Sequence, residues 1–500
     1  MNMNSILAPH HNQQIHPSWT GLVSSVVLWT VTTTAVVGYQ TWQTRWSSRQ
    51  EVSTITTTKD LPVQGETTES ESTNPSTNQD WNRIVELLPI ENWSYHFDPP
   101  ITTLTWFCGD HTKAAQILRH RVQQILYQNP WLGGSVVLRQ KKVYLVFSHY
   151  DTDVDGSVTS PMLQVDHHIR HVSTPNDSPI AMKAGTTTIQ DLSNATRAYR
   201  LSKQEARTCL WRVTILPCRN EPTKYFALIM SMCHAIGDGH TFYAIHRMLC
   251  SSGEESIPAL LVDRIQTSQD QQIQLLGKEE FELKDSWTIT WSVLGGFLWK
   301  SMTAFLLGPC MESYCFQVDQ HKMQQLKEQA AKEGNVPFVS TNDIIMSWFF
   351  HASRCHHAIM TINFRNRIEG HSNMHAGNYY NHIFYQRDDI ASASLIRKSI
   401  QTYKRAITGT TMPSLFRRLV GTKAMGTNWC TFAAPNDLDG CEEIFQIPLL
   451  DTIEALPYHI VHLCIFRATS NMTCFQISGN STILRACRDP PFGTRMTTII

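Results

Sequence analysis

The first apolar run of the chain, Trp19 to Trp42, reads WTGLVSSVVLWTVTTTAVVGYQTW, and no Asp, Glu, Lys or Arg occurs from Met1 to Thr44. As a helix, a run of this length spans the hydrocarbon core of a bilayer. Trp19, Tyr39 and Trp42 fall where interfacial aromatics belong. The pattern predicts a tail over 1–18 and a single membrane-spanning helix over 19–42. A cleaved signal peptide is disfavoured by the missing basic n-region, while the acid-free, Ser/Thr-rich start is compatible with a transit peptide. Arg45 and Arg49 follow the span and no basic residue precedes it, so the positive-inside bias puts the remainder in the cytosol, with the endoplasmic reticulum the expected membrane. Residues 43–80 are rich in Thr, Ser and Glu and poor in apolar side chains, a composition that cannot bury enough surface to fold.

Past Trp81 the pattern changes to that of an α/β protein. Thr102 to Phe107 alternates as a strand. Leu118, Val122, Ile125 and Leu126 then recur at helical spacing until Asn129-Pro130 stops the helix. Gly133-Gly134 leads into two short strands, SVVLR and KVYLVFS. LWRVTILPC and YFALIMSM form a hairpin whose second arm is apolar on both faces, as a central strand is. Later, Ser340-Thr341-Asn342-Asp343 caps a helix carrying Ile344, Ile345, Trp348 and Phe349, and Leu395 to Ile407 has helical spacing. Strands are expected over Ile460 to Phe466 and Met472 to Ile477. The polar, helix-poor stretch Ser251 to Asp285 reads as the connection between two halves, 81–285 and 286–500. Residues 286–309, SWTITWSVLGGFLWKSMTAFLLGP, are apolar around the whole helical circumference, which fits a buried helix or one on a membrane surface. A second full span would separate the two halves across the bilayer and is rejected.

Composition narrows the function. Lys plus Arg and Asp plus Glu each number 42, so no long-range field attracts a polyanion and nucleic acid is not an expected partner. The 13 cysteines show no C-x-x-C pair, which reads as reduced thiols. The opening of a calcium loop at Asp151-Thr152-Asp153-Val154-Asp155-Gly156 offers Met162 where the bidentate Glu should be. His351, Cys355, His356 and His357 lack a second cluster to complete a metal site, so no metal is expected.

Directly after the apolar strand stands Cys233-His234-Ala235-Ile236-Gly237-Asp238-Gly239-His240, followed by an apolar helix from Thr241 to Leu249. A histidine at a strand's end is held by a rigid element while its ring projects into a crevice. Gly237-Asp238-Gly239 reads as a tight turn, and Cys233, adjacent to His234, as a core residue on the opposite face.

This segment, with the hairpin before it, resembles the coenzyme-A-dependent acyltransferases of the chloramphenicol-acetyltransferase-like superfamily, which include the plant BAHD enzymes, trichothecene acetyltransferases and wax-ester synthases. Further matches follow in the family's order: Asn129 to Gly134, Ser340 to Asp343 with Trp348, Gly377-Asn378-Tyr379, and Thr427-Asn428-Trp429. Two departures stand out: Asn436-Asp437-Leu438-Asp439-Gly440 replaces the BAHD Asp-Phe-Gly-Trp-Gly, and Cys233 replaces the first of two histidines found in wax-ester synthases and condensation domains. The resemblance implies a two-lobed α/β fold, each lobe a mixed sheet flanked by helices, with donor and acceptor channels meeting at His234. It implies His234 as general base, Asp238 as a structural partner of an arginine (Arg365 or Arg367), and Thr427 as the oxyanion donor. Gly237 and Gly239 would shape the turn, and Asn378 and Trp429 the substrate channel. A neutral imidazole is well matched to base catalysis near neutral pH.

The expected activity is acyl transfer from acyl-CoA, as co-substrate rather than bound cofactor, to a hydroxyl or amine of a lipophilic acceptor, by a monomer at a membrane. The alternatives are an acyl group delivered on a carrier protein, as in condensation domains, and a non-catalytic protein that binds a hydrophobic ligand.

Overall fold

Strand β2 (Ile101–Cys108) and strand β7 (Tyr225–Met232) are buried along nearly their whole length on both faces. Such strands need a layer on each side, and their position in the middle of a sheet supplies it. The computed structural model describes residues 83–148, 165–181, 187–251, 256–277, 295–296, 299–300, 311–407, 421–433, 435–450 and 458–498, all within one unit, Asn78–Ile500.

Three sheets, with helices packed against them, make up these residues. The smallest joins β1 (Arg83–Glu86), β4 (Lys142–Phe147) and β3 (Ser135–Arg139) in that order. The second, of five strands, runs β12-β2-β7-β6-β5, with β5 at Ile169–His171, β6 at Trp211–Pro217 and β12 at Glu442–Pro448. Its edge strand β12 comes from far along the chain and pairs antiparallel with β2, from Glu442 opposite Cys108 to Pro448 opposite Thr103. Helix α1 (Pro89–Phe97) precedes β2. Helices α2 (His111–Gln128) and α3 (Gly239–Leu249) share one hydrophobic core with this sheet, in which Leu118, Val122, Phe226, Leu228, Phe242 and Ile245 are fully buried.

The third sheet has seven strands in the order β10-β9-β11-β13-β14-β8-β15: β8 at Met311–Val318, β9 at His357–Asn363, β10 at Tyr380–Tyr385, β11 at Lys423–Asn428, β13 at Ile460–Thr469, β14 at Met472–Asn480 and β15 at Gly493–Arg495. β11 is parallel to β9 and β13, and the other pairings are antiparallel. Alternation along the strands divides its faces. Met360, Ile362, Leu463, Ile465, Phe475 and Ile477 enter a second core with Ile345, Met346 and Phe349 of helix α5 (Thr341–Ala352), while helix α4 (Gln320–Gly334) and helix α6 (Ala393–Thr402) complete that layer. The opposite face carries Thr361, Met425, Thr427, His462, Gln476 and Ser478. Farther along that face, Cys315, Phe466 and Cys474 join Leu104, Trp106, Ile229 and Phe445 of the five-stranded sheet in a third cluster.

The capping box at Ser340 forms, Asp343 N–H donating to Ser340 Oγ and Ser340 N–H to Asp343. The helix expected to reach Ile407 ends at Thr402, because Tyr403 turns left-handed at φ 57°. The stretch Ser251 to Asp285, read as a polar connection, contains a helix over Ser268–Leu276, and Leu260, Val262 and Arg264 within it are buried. One of its polar residues is internal: the side chain of Arg264 is wholly enclosed and ion-paired. The expected span over 19–42, the tether 43–80, the calcium-like loop at 151–156 and most of 286–309 lie outside the described residues. Among the described residues no helix is long and apolar enough to cross a membrane. No group of three or more His, Cys, Asp or Glu among them is placed to hold a metal ion.

The Gly133-Gly134 pair divides into two different constraints. A Cβ on Gly133 meets nothing closer than Leu126 at 3.8 Å, whereas one on Gly134 would drive into the carbonyl oxygen of Val146, on the neighbouring strand. Gly134→Ala should therefore cost about 1–3 kcal/mol and Gly133→Ala no more than about 0.5 kcal/mol. Urea denaturation of the two variants measures the difference.

Candidate active site

The signature begins where β7 ends. Cys233 N–H donates to Leu210 O at 2.7 Å and Ile236 N–H to Cys233 O at 3.2 Å, so the tight turn is Cys233 to Ile236, with His234 in it. Gly237-Asp238-Gly239, read from sequence as the turn, is instead the start of α3, with Asp238 as its N-cap. Neither glycine has a positive φ. They are needed for close approach: a Cβ on Gly237 would lie 2.6 Å from the Thr241 side chain, and one on Gly239 3.2 Å from Trp429 Nε1. Cys233 is buried in the first core, and burial pushes its thiol up to about 11.

Two buried ion pairs hold this turn. Arg365 Nη1 donates to Asp238 Oδ2 at 2.7 Å, and the arginine side chain is fully enclosed. Its remaining donors reach Asn363 Oδ1, His375 O, Thr241 Oγ1 and Gly377 O, and its guanidinium lies over the Tyr379 ring, 5.0 Å from the centroid. Asp238 also accepts from Thr241 N–H at 3.0 Å and Tyr379 N–H at 3.2 Å. Of the two candidate partners, then, Arg365 contacts Asp238. Arg367 is exposed and sits over Tyr403.

The second pair was not anticipated. Arg264 Nε donates to both carboxylate oxygens of Glu91, at 3.0 and 2.9 Å, and both side chains are 0% exposed. Arg264 Nη2 donates to Ile236 O at 3.0 Å and Nη1 to Ala376 O at 2.9 Å, while Glu91 accepts from Asn378 N–H at 2.9 Å. The Asn378 side chain completes the clamp by donating to His234 O at 2.7 Å. Gly377, at φ +133°, is the point of closest approach; a Cβ there would lie 2.9 Å from Arg264 Nε. The one sequence signal for Glu91 was its place in the first turn of a helix that begins with proline. There it also accepts from Leu88 N–H.

With its backbone fixed, the half-buried His234 ring makes no side-chain hydrogen bond to the described residues, and its Nδ1 is buried without a partner. Tyr380 meets it edge-on, with ring centroids 6.2 Å apart, and burial holds the Tyr380 phenol well above its ordinary range, leaving an O–H at neutral pH. Thr427 lies on β11 opposite Cys464. Beyond it, Asn428 donates to Asn342 at 3.1 Å, and Trp429 packs edge-on to Tyr243 of α3. The end of β11 therefore abuts the first turns of α3.

A cavity of about 1370 Å³ opens beside α3, α4 and the carboxyl ends of the parallel strands β9 and β11. Arg247, Lys327, Arg367 and Arg397 line it, as do Asn363, Arg365 and Asn428 next to the signature. His234 is not in its wall. His240 is, held neutral because burial pushes its imidazole down to about 4.

The chain has the chloramphenicol-acetyltransferase-like fold, a mixed α/β architecture of sheets flanked by helices. It is similar to F. graminearum TRI101 complexed with coenzyme A and T-2 mycotoxin, at 12% identity and a TM-score of 0.53 over 83% of this chain and 99% of that one. F. sporotrichioides TRI101 with the same two ligands matches at 12% and 0.51, over 82% and 99%. The first condensation domain of the calcium-dependent antibiotic synthetase, in complex with a substrate analogue, matches at 10% and 0.50, over 81% and 92%. No protein-family model and no curated protein matches the sequence.

Burial alone would raise the Asp238 carboxyl, but the charge and hydrogen bond of Arg365 outweigh it and the net shift is downward from 3.8. A carboxyl depressed in the folded state contributes stability that is present above pH 3.8 and lost as pH falls through the folded value. Arg365→Met, leaving that charge buried and unpaired, should cost about 3–5 kcal/mol near neutral pH and shrink the acid-side loss. Arg367→Met should cost about 1 kcal/mol or less. Denaturation curves from neutral to acid pH distinguish the two arginines.

Proposed function

We propose that the chain is an acyltransferase that moves an acyl group from acyl-CoA to a hydroxyl or amine of a small acceptor. One observation carries this reading: the backbone of His234 is clamped by a network of buried ion pairs, while its ring has no hydrogen-bond partner among the described residues. Such an imidazole is oriented in advance and available to a substrate proton. A role confined to packing would leave it satisfied by the protein.

In the proposed reaction, His234 takes the proton from the acceptor O–H or N–H as that atom attacks the thioester carbonyl. The tetrahedral oxyanion is stabilised by the Thr427 hydroxyl, an interaction of the kind worth a few kcal/mol. Its collapse breaks the C–S bond, and the thiolate of coenzyme A leaves with the proton held on His234. Asp238 takes no proton, because Arg365 and two backbone N–H groups occupy its oxygens. The large cavity takes the remote part of the donor, with Arg247, Lys327 and Arg367 toward its phosphates. Support also comes from the fold shared with TRI101, whose structures contain coenzyme A. The carrier-protein reading rests only on the likeness to a condensation domain; release of free CoA thiol from acyl-CoA separates the two.

The proposal keeps the 19–42 span, with the 81–500 region in the cytosol, the chain acting as a monomer at the membrane. The Asn-x-Ser/Thr triplets at Asn92, Asn176, Asn194, Asn471 and Asn480, acceptors for glycosylation in a lumen, are then unglycosylated in a eukaryotic host. An endoglycosidase-sensitive mobility shift would place this region in the lumen instead.

His234→Ala should lower kcat about 10²–10⁴-fold and leave the melting temperature and acyl-CoA affinity close to wild type, since the imidazole acts only as the acceptor's proton is lost. Stopped assays of CoA release, with calorimetry of acyl-CoA binding, test this. Near-wild-type turnover where chemistry limits the rate excludes the mechanism.

A further inference from the structure

On the face of the seven-stranded sheet that carries Thr427, three buried side chains each leave a polar atom without a partner among the described residues, around a single residue, Ser478. Gln476 and Asn480 flank it along β14, and His462 stands directly across from it on β13. Gln476 Nε2 donates to Ser313 Oγ at 2.8 Å, yet its Oε1 has no partner. Asn480 Oδ1 accepts from Thr482 N–H at 2.9 Å, yet its Nδ2 has none. His462 Nδ1 is likewise unpaired. The three residues are 5%, 1% and 5% exposed. Whichever way round each amide is placed, one of its ends stays unsatisfied. A buried polar group left unpaired is unfavourable, so three in one patch call for a polar occupant.

The register places this patch relative to the proposed chemistry. Thr427, Cys464 and Gln476 form one row across β11, β13 and β14, and His462 lies one pleat back from Cys464 on the same face. With strands about 4.8 Å apart and alternate residues about 6.8 Å apart, His462 is about 8 Å and Gln476 about 10 Å from Thr427, Cα to Cα. Gln476 and Ser313 also line a separate cavity of about 260 Å³, whose wall includes Leu449 and Leu450 at the end of β12. That is room for several waters or for one compact polar group with its carbon frame.

We propose that this patch recognises a second hydroxyl on the acceptor whose first hydroxyl attacks the thioester carbonyl held at Thr427, so that the acceptor is a compact polyol-like alcohol and not a single-headed lipid. The inference rests on the acyl-transfer reading for the identity of that molecule, and on the patch alone for its second polar group. The chemistry is complementary: an amide oxygen that accepts, an amide N–H that donates, and an imidazole that burial keeps neutral by pushing it down to about 4. A hydroxyl both donates and accepts, so it matches the set, whereas an alkyl end leaves every one of these atoms unpaired.

The test compares medium-chain α,ω-diols with alkanols of equal chain length on the full-length protein, both as ligands by calorimetry and as acceptors by CoA release. The wild type should favour the best diol by about 10-fold or more. Gln476→Met, nearly isosteric, and separately His462→Leu should bring that ratio close to one, with melting temperatures reported for both. Equal binding of diol and alkanol by the wild type, or a ratio unchanged in both folded variants, overturns the proposal and leaves the patch to buried water. Selective diol binding with no CoA release from any alcohol upholds the patch and rejects acyl transfer.

Discussion

The arrangement around His234 depends on charge buried without access to solvent. Removing Arg365 or Arg264 from water is expensive, and the cost is offset only when every guanidinium nitrogen finds an acceptor. Both arginines meet that condition. Arg365 spends its donors on Asp238, Asn363, Thr241 and two backbone carbonyls, and Arg264 on Glu91 and three backbone carbonyls. Because the acceptors come from segments far apart in the chain, satisfying each guanidinium also locks those segments together. The loop 375–379 is gripped from both sides, and through Asn378 it fixes the carbonyl of His234.

A second consequence is where rigidity ends. The backbone of the signature is held by hydrogen bonds on either side of the histidine, whereas the ring has no hydrogen-bond partner among the described residues. The same contrast recurs on the polar face of the seven-stranded sheet, where Ser478 is satisfied by Ser313 while its neighbours each retain an unpaired atom.

The sheets share material across the chain. Strand β12 pairs with β2 at the edge of the five-stranded sheet, which covers β2 on that side and brings residues 442–448 against it. It also sets Leu449 and Leu450 beside the cavity that Gln476 lines. The packing of Gly239 against Trp429 performs the same service at the other end, joining the first turn of α3 to the end of β11.

Much of this was legible in the sequence. The hairpin β6–β7, the helix capped at Ser340, the strands β13 and β14 and the position of His234 all follow from local periodicity and capping, which depend on neighbours within a few residues. The resemblance added Asp238 and an arginine partner but left Arg365 and Arg367 equivalent, since two positions apart on one segment differ only in the direction each side chain takes. Hydropathy misread Arg264, because a polar residue in a polar stretch reads as solvated and its burial depends on Glu91, 173 positions away. The pairing of β12 with β2, the close approaches at Gly134, Gly237 and Gly377, and the convergence of His462, Gln476 and Asn480 on one face were likewise decided only by the tertiary structure. Local sequence determines which elements form and which groups carry chemistry. Which buried group meets which is set by contacts between distant segments, and no short-range pattern records them.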